Sequence, residues 1–386
     1  MVDYDFLSVY FYSVPNLRFS YKGDWSKRKL NEICLFFKGN GLSKSDLSNE
    51  GFPCILYGEL YTTYKNEVIS DIISKTNTTL SNPFLSRNND LIIPGSGEDP
   101  IDIAVARAIY QNDIISGGDL NILRPKSNVS AAFLSYQLNG VRRYDIAKKA
   151  QGKSIVHLHN SDLKEVLVSI PSYDEQLHIV KLLTKIDEMI ETQSKIIDDY
   201  NSLKMGIYNC MFKENYADYK LKQLAYIVKG DQINNDQLLS NGSYYMMNGG
   251  ASPSGYLDSY NVSENTISIS EGGNSCGYVQ FNSSPFWSGG HCYTIQNVNS
   301  ALIENKYLYH YLKYKEKEIM NLRIGTGLPN IQKKDLENFT ILVPSLLIQR
   351  KNLALFEMLD EKISILNEEL ANLQKQKKYL LCNMFI

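Results

Sequence analysis

The feature that most constrains this chain is a helical seam that occurs twice. Between Tyr173 and Phe212, residues Ile179, Leu183, Ile186, Ile190, Gln193, Ile197, Tyr200, Lys204, Ile207 and Met211 succeed one another in alternating steps of four and three. That spacing marks a helix packed lengthwise on another helix. Moved along by 173 residues, the same places hold Asn352, Phe356, Leu359, Ile363, Leu366, Leu370, Leu373, Lys377, Leu380 and Met384. The register runs without a gap from Gly152/Gly325 through Asp162/Asp335, Pro171/Pro344, Ser172/Ser345, Gln176/Gln349 and Asp187/Asp360. Two long helices, each reached through Pro-Ser, imply a chain made of two similar halves. A helix of about 39 residues spans roughly 58 Å at ~1.5 Å per residue. If a two-fold axis relates the halves, the helices run antiparallel, pair as a coiled coil and hold a globular unit at either end. Lys204 and Lys377 are the polar seam positions, and such residues fix register at a cost in stability.

The segments between the helices also repeat. In the first half, β-like runs at Cys54–Tyr57, Asn89–Ile93, Ile114–Ile115 and Leu120–Leu123 are punctuated by Gly58, Gly95-Ser96-Gly97 and Ser116-Gly117-Gly118. A helical stretch from Ser130 to Lys149 and a strand from Glu165 to Ile170 follow. The second half repeats the order: Thr266–Ser270, Glu271-Gly272-Gly273, Ser288-Gly289-Gly290, Tyr293–Ile295, a helix from Tyr307 to Leu322, and a strand from Phe339 to Val343. The expected fold is α/β of the mixed α+β kind, with two similar domains joined by two long antiparallel helices in pseudo-two-fold symmetry. Its boundaries are a leader at 1–24, a first domain at 25–172, a first long helix at 173–212, a second domain at 213–344 and a second long helix at 345–386. The extension Met1–Ser13 has no parallel in the second half.

Composition removes several function classes. The formal net charge is −2, so nucleic-acid contact has to rest on local patches. No run approaches the ~20 apolar residues of a membrane helix, and the short apolar run Phe6–Ser13, which follows Asp3 and Asp5 rather than Lys or Arg, reads as a poor signal peptide. The six cysteines form no C-x-x-C and the five histidines complete no zinc spacing, as expected of free thiols in a cytoplasmic protein. Tyrosine is abundant, 27 residues against 14 Phe, which suits half-buried surfaces.

Chemistry-bearing motifs fail one by one. Gly95-Ser96-Gly97 and Glu271-Gly272-Gly273 follow strands but lack the full dinucleotide fingerprint. Gly152-Lys153-Ser154 lacks the upstream glycine of a phosphate loop. Asn82-Pro83-Phe84 and Glu98-Asp99-Pro100 are incomplete matches to methyltransferase and nuclease motifs. His157 and His159 become Asn330 and Gln332 in the other half, a swap that repeated catalysis would not tolerate. His291 and Cys292 correspond to Asp119 and Leu120. No catalytic constellation and no metal site is expected.

Two basic patches recur at equivalent places. Residues 140–154 carry Arg142, Arg143, Lys148, Lys149 and Lys153 against Asp145 alone; residues 313–334 carry Lys313, Lys315, Lys317, Arg323, Lys333 and Lys334 against Glu316 and Glu318. One such run is ordinarily a solvated face, but its repetition points to phosphate contact. Tyr244 and Tyr245, in a polar aromatic loop, are candidates for base-edge or shape contacts.

The order of these elements resembles the specificity subunit of Type I restriction–modification systems. The matching residues are Pro15-Asn16-Leu17-Arg18-Phe19 with Trp25, Asp90–Pro94 with its Gly-x-Gly, Ser116-Gly117-Gly118-Asp119-Leu120, and Ile170-Pro171 ahead of Glu175-Gln176. The second half departs in having Leu347-Ile348 before Gln349. The resemblance implies a non-catalytic subunit with two target-recognition domains, each reading one part of a split sequence in double-stranded DNA. It implies methyltransferase (modification) and motor–nuclease (restriction) subunits as partners. S-adenosylmethionine, ATP and Mg are then expected on those partners, with no cofactor bound by this chain. The seam residues Ile179, Leu183, Ile186, Ile190, Ile197, Phe356, Leu359, Ile363, Leu366 and Leu370 are expected to build the coiled coil and the docking surface. The competing readings are the targeting subunit of a single-complex restriction system, a stand-alone nuclease or methyltransferase, and a coiled-coil scaffold that binds no DNA.

Overall fold

A computed structural model describes residues 14–212, 216–325, 327 and 329–386; the extension Met1–Ser13 lies outside them. The chain forms two compact units, one of Met1–Ser194 with Glu368–Ile386 and the other of Lys195–Asn367. The long helices are Tyr173–Met211, 39 residues, and Leu346–Asn383, 38 residues. Each unit therefore contains a globular part and half of each long helix.

In the first unit, a five-stranded sheet has the order Cys34–Lys38, Leu120–Pro125, Asp90–Pro94, Arg107–Ile109 and Val68–Ile69. The central strand Asp90–Pro94 is buried along its whole length, which is why Leu91–Pro94 reads as an unbroken apolar run. Helix Ala131–Asn139 packs on the sheet, and Ala131 through Leu138 are buried. The Ser130 side chain caps it by accepting from the Phe133 amide at 3.3 Å. The expected single helix from Ser130 to Lys149 is two, Ala131–Asn139 and Arg143–Ala147. Gly140 makes the break: its backbone leaves the helical region at φ −86° and ψ −109°, and glycine is a weak helix former. In the second unit the corresponding stretch is likewise divided, into Asn305–Tyr314 and Glu316–Met320.

The second unit's sheet has the order Tyr226–Lys229, Cys292–Gln296, Thr266–Ser270 and Val279–Asn282. Its first three strands match the first three of the other sheet. A small side sheet accompanies each main sheet. It has four strands in the first unit, and in the second it has three (Gly255–Leu257, Tyr244–Met247 and Trp287–Ser288).

Within each unit the two helix halves run antiparallel. In the first, Gln193 Nε2 donates to Glu369 Oε2 at 2.9 Å, and Lys377 Nζ lies 2.6 Å from Asp187 Oδ1. In the second, Lys204 pairs with Asp360, and the Tyr208 ring meets Phe356 edge-on at 4.8 Å. Ile179, Leu183, Ile186, Ile197, Phe356, Leu359 and Leu366 are buried, while Ile190, Ile363 and Leu370 are half-buried. The polar seam lysines are thus matched to aspartates: Asp187 with Lys377, and their repeat counterparts Asp360 with Lys204.

The joints between long helices and sheet units are also built twice. Phe385 packs on Phe133 at 5.3 Å in the first unit, and Phe212 packs on Tyr307 at 5.5 Å in the second. Gln176 is fully buried; its Oε1 accepts from the Ser130 amide at 2.9 Å, and its Nε2 donates to the carbonyls of Asn128 and Pro171 at 3.1 Å each. Gln349 repeats this, accepting from Glu304 N at 2.8 Å and donating to Leu302 O and Pro344 O at 2.9 and 2.8 Å. One difference breaks the symmetry. Glu175, at the place held by Ile348 in the second half, takes a bidentate ion pair from Arg18 at 2.6 and 2.7 Å and a hydrogen bond from Trp25 Nε1 at 3.2 Å. Arg18, within the leader, and Trp25, at the start of the first domain, are anchored there.

Candidate nucleic-acid interface

Strand direction gathers the loops. In the first unit, Lys38 at the end of one strand and Pro94 at the end of another lie beside Asn121 and Leu120, at the start of the strand between them. In the second, Lys229 and Ser270 end beside Tyr293 and Cys292. The glycine loops singled out in sequence therefore converge at one end of each sheet. The backbones approach closely enough to exclude side chains: a Cβ on Gly39 would fall 2.0 Å from the Gly117 carbonyl oxygen, and one on Gly230 would fall 2.3 Å from that of Ser288. These glycines serve turns and close packing; they form no phosphate loop.

A further extended segment joins each cluster. Val156–His157 pairs with Ser96–Gly97 on one side and Gln151–Gly152 on the other. In the second unit Asn330 bridges both Gly272 and Ile324. The Leu158 amide donates to Gly95 O, and its counterpart Ile331 donates to Glu271 O, both at 2.9 Å. Leu158 and Ile331 are fully buried, while His157, His159, Asn330 and Gln332 are exposed. The two imidazole rings lie parallel, 6.2 Å apart. Beside this segment, Lys229 Nζ lies 2.6 Å from Glu271, which also accepts from Tyr293 Oη at 3.0 Å.

The model of the Type I restriction modification DNA specificity domain matches residues 22–199 and again 213–375. The chain belongs to this family. A putative specificity subunit of a type I restriction enzyme from Methanocaldococcus jannaschii is 23% identical over 93% of this chain and 92% of its own length. A putative type I specificity subunit from Mycoplasma pneumoniae is 34% identical over 40% of this chain and 41% of its own length. The crystal structure of a type I S subunit from M. genitalium shares the fold, with a TM-score of 0.69 and 20% identity over 97% of this chain and 99% of that one.

The basic residues of this specificity subunit divide into struts and free cations. Arg142 pairs with Asp145 at 3.3 Å and donates to the Ile386 carbonyl at 3.1 Å. Arg143 donates to Ile101 O at 3.0 Å. Lys313 is held by Glu316 and Val279 O and lies over the Tyr278 ring at 4.1 Å. Lys315 pairs with Glu318 at 2.7 Å, and Lys333 with Glu337 at 3.7 Å. Among the described residues, Lys148, Lys153, Lys317, Arg323 and Lys334 are exposed outside any ion pair, and Lys149 is half-buried. Gly152, at φ +140°, makes the turn that carries Lys153 at the tip of its hairpin. Tyr245 belongs to a small core, stacked on Phe286 at 5.6 Å with its hydroxyl on Asn282 Oδ1 at 3.0 Å; Tyr244 is half-buried against Tyr260.

Among the described residues no group of three or more His, Cys, Asp or Glu side chains is disposed to hold a metal, and no helix is long and apolar enough to cross a membrane. His157, His159, Asn330 and Gln332 carry no catalytic signature in the sequence, yet they stand exposed on the loop cluster. Their alternation with Val156, Leu158 and Ile331 was the available signal that they point outward from a strand.

Proposed function

We propose that this specificity subunit reads duplex DNA with the loop-bearing ends of its two units, each taking one part of a split target, and performs no chemistry itself. The observation that carries the reading is that the same loop cluster is built twice while the side chains exposed on it differ: His157 and His159 in one unit, Asn330 and Gln332 in the other. A shared scaffold with divergent exposed chemistry is what reading two different short sequences requires. Lys153, Arg323 and Lys334 supply phosphate contacts beside those positions.

Methyltransferase subunits dock on the outward faces of the long helices. Leu347, Met358 and Ile365 are exposed at 78%, 59% and 44%, and their steps of 11 and 7 residues place them on one helix face. S-adenosylmethionine belongs to those partners, and ATP and Mg to motor–nuclease subunits, in the cytoplasm. The reading predicts salt-dependent duplex binding by the purified chain, with affinity falling about 10³-fold between 50 and 200 mM salt if about six phosphates are neutralised. Methyl transfer by the chain alone, or binding indifferent to salt, would refute it.

A further inference from the structure

The extended segment 329–332, bridged on both sides at Asn330, is held more firmly than an exposed loop requires. Asn330 exchanges both backbone hydrogen bonds with Ile324, at 3.0 and 2.8 Å. On its other side, Gly273 N donates to Pro329 O at 3.1 Å and Ile331 N to Glu271 O at 2.9 Å. Ile331 is anchored in the core at 0% exposure. With the backbone fixed on both edges and the middle side chain buried, Asn330 and Gln332 must stand on the outer face, two residues apart. They also fix each other, since Gln332 Nε2 donates to Asn330 Oδ1 at 2.8 Å. That bond leaves the Asn330 amide group, the second Gln332 amide hydrogen and the Gln332 carbonyl oxygen free to face a ligand. Exposed Arg323, Lys333 and Lys334 flank the pair.

We propose that the Asn330–Gln332 amide pair is a specificity-determining element that reads an adenine in the part of the target taken by the second unit. A side-chain amide offers a donor and an acceptor side by side, the complement of adenine N7 and N6 in the major groove. Preorganisation by backbone bridges on both sides gives the positional precision that base readout needs. His157 and His159 occupy the matching positions of the first unit and read a different base there. The inference rests on the DNA-recognition reading above and goes beyond it by naming the positions and the base.

The test is a binding selection from randomised duplexes with the full chain, comparing wild type, the double variant Asn330→Ala/Gln332→Ala, and Gln332→Glu. The wild type should return a split motif with an A·T pair in one part. The double alanine variant should lose about tenfold of the preference at that pair, with the rest of the motif and the non-specific affinity unchanged. Gln332→Glu should move the preference at that position toward cytosine, whose N4 amine donates to a carboxylate. A structural role would not produce that exchange. If both variants select the wild-type motif, the inference falls while DNA recognition stands. If the wild-type chain selects no motif, the recognition reading falls and the inference with it.

Discussion

Replacing Lys377 should damage the first unit far more than replacing its repeat counterpart Lys204 damages the second. Lys377 Nζ sits 2.7 Å from Glu67 and 2.6 Å from Asp187, whose side chains are only 7% and 6% exposed. Asp187 also accepts from the buried Tyr136 hydroxyl at 2.6 Å. Burial on its own lowers the Lys377 pKa, but the two carboxylates outweigh it and the ammonium is held above its usual range. Lys377→Met would leave two buried carboxylates without the ammonium that bridges them, with the buried Arg107 the remaining nearby positive charge, at a cost of about 3–5 kcal/mol. Lys204 has one carboxylate partner, Asp360, which is 38% exposed and regains water when the lysine is removed, and it lies 5.5 Å from the Tyr208 ring centroid. Lys204→Met should cost about 1 kcal/mol or less.

The assay is native-state hydrogen exchange, read on Ala131–Asn139 for the first unit and Asn305–Tyr314 for the second. Lys377→Met should raise the opening constant of the first helix by at least 100-fold (about 3 kcal/mol). Adding Glu67→Gln and Asp187→Asn should restore most of the loss. Burial raises the Asp187 pKa in spite of Lys377, and without the lysine it must rise further. A carboxyl with a raised folded-state pKa stabilises most below its unfolded value, and loses that contribution as pH rises through the folded one. The destabilisation should therefore be smaller at pH 5 than at pH 8. Equal losses in the two units, or no loss in the first, would refute the argument.

Gln176→Ala and Gln349→Ala should each destabilise their own unit by about 2–4 kcal/mol, because each removes three hydrogen bonds between a buried amide and backbone groups that are buried or part-buried; amide exchange in the two domain helices resolves the two effects. Burial, then the nearby Lys204 charge, pushes His310 down to about 3. Its contribution is present above the ordinary histidine pKa and is lost as pH falls toward the folded value, about 2 kcal/mol by pH 5. Exchange in the second unit should show that loss, and His310→Phe should remove it. The first unit, with Tyr136 at this place, should lack it. Gly152→Ala should disrupt the hairpin that carries Lys153, since a Cβ there would lie 2.0 Å from the Ile155 carbonyl oxygen. Reduced duplex affinity without a change of motif is the expected readout.

The long helices were legible because a seam is a local, periodic signal, and its recurrence 173 residues later carried the two-half architecture with it. Gln176 and Gln349 were visible as a repeated pair, although their task as clasps on buried backbone was not. Partner choice was harder. Lys204 and Lys377 read as polar interruptions of a seam, and Asp187 and Asp360 as repeat markers. Only antiparallel pairing within a unit joins Asp187 to Lys377 and Lys204 to Asp360. Counting cations in a row missed that Asp145, Glu316 and Glu318 lie one helical turn from the arginine and lysines they neutralise. The loop cluster was out of reach for a different reason. It assembles from segments more than 100 residues apart, such as Gly39 and His157, and strand order decides which of them meet.

The most direct test of two independent reading units is to exchange one of them. Residues 219–343 can be replaced by the corresponding segment of another specificity subunit, and the methylated motif mapped in a host supplying the methyltransferase partners. One part of the split target should change while the other part and the spacing stay as they were. A change in both parts, or in neither, would contradict the account.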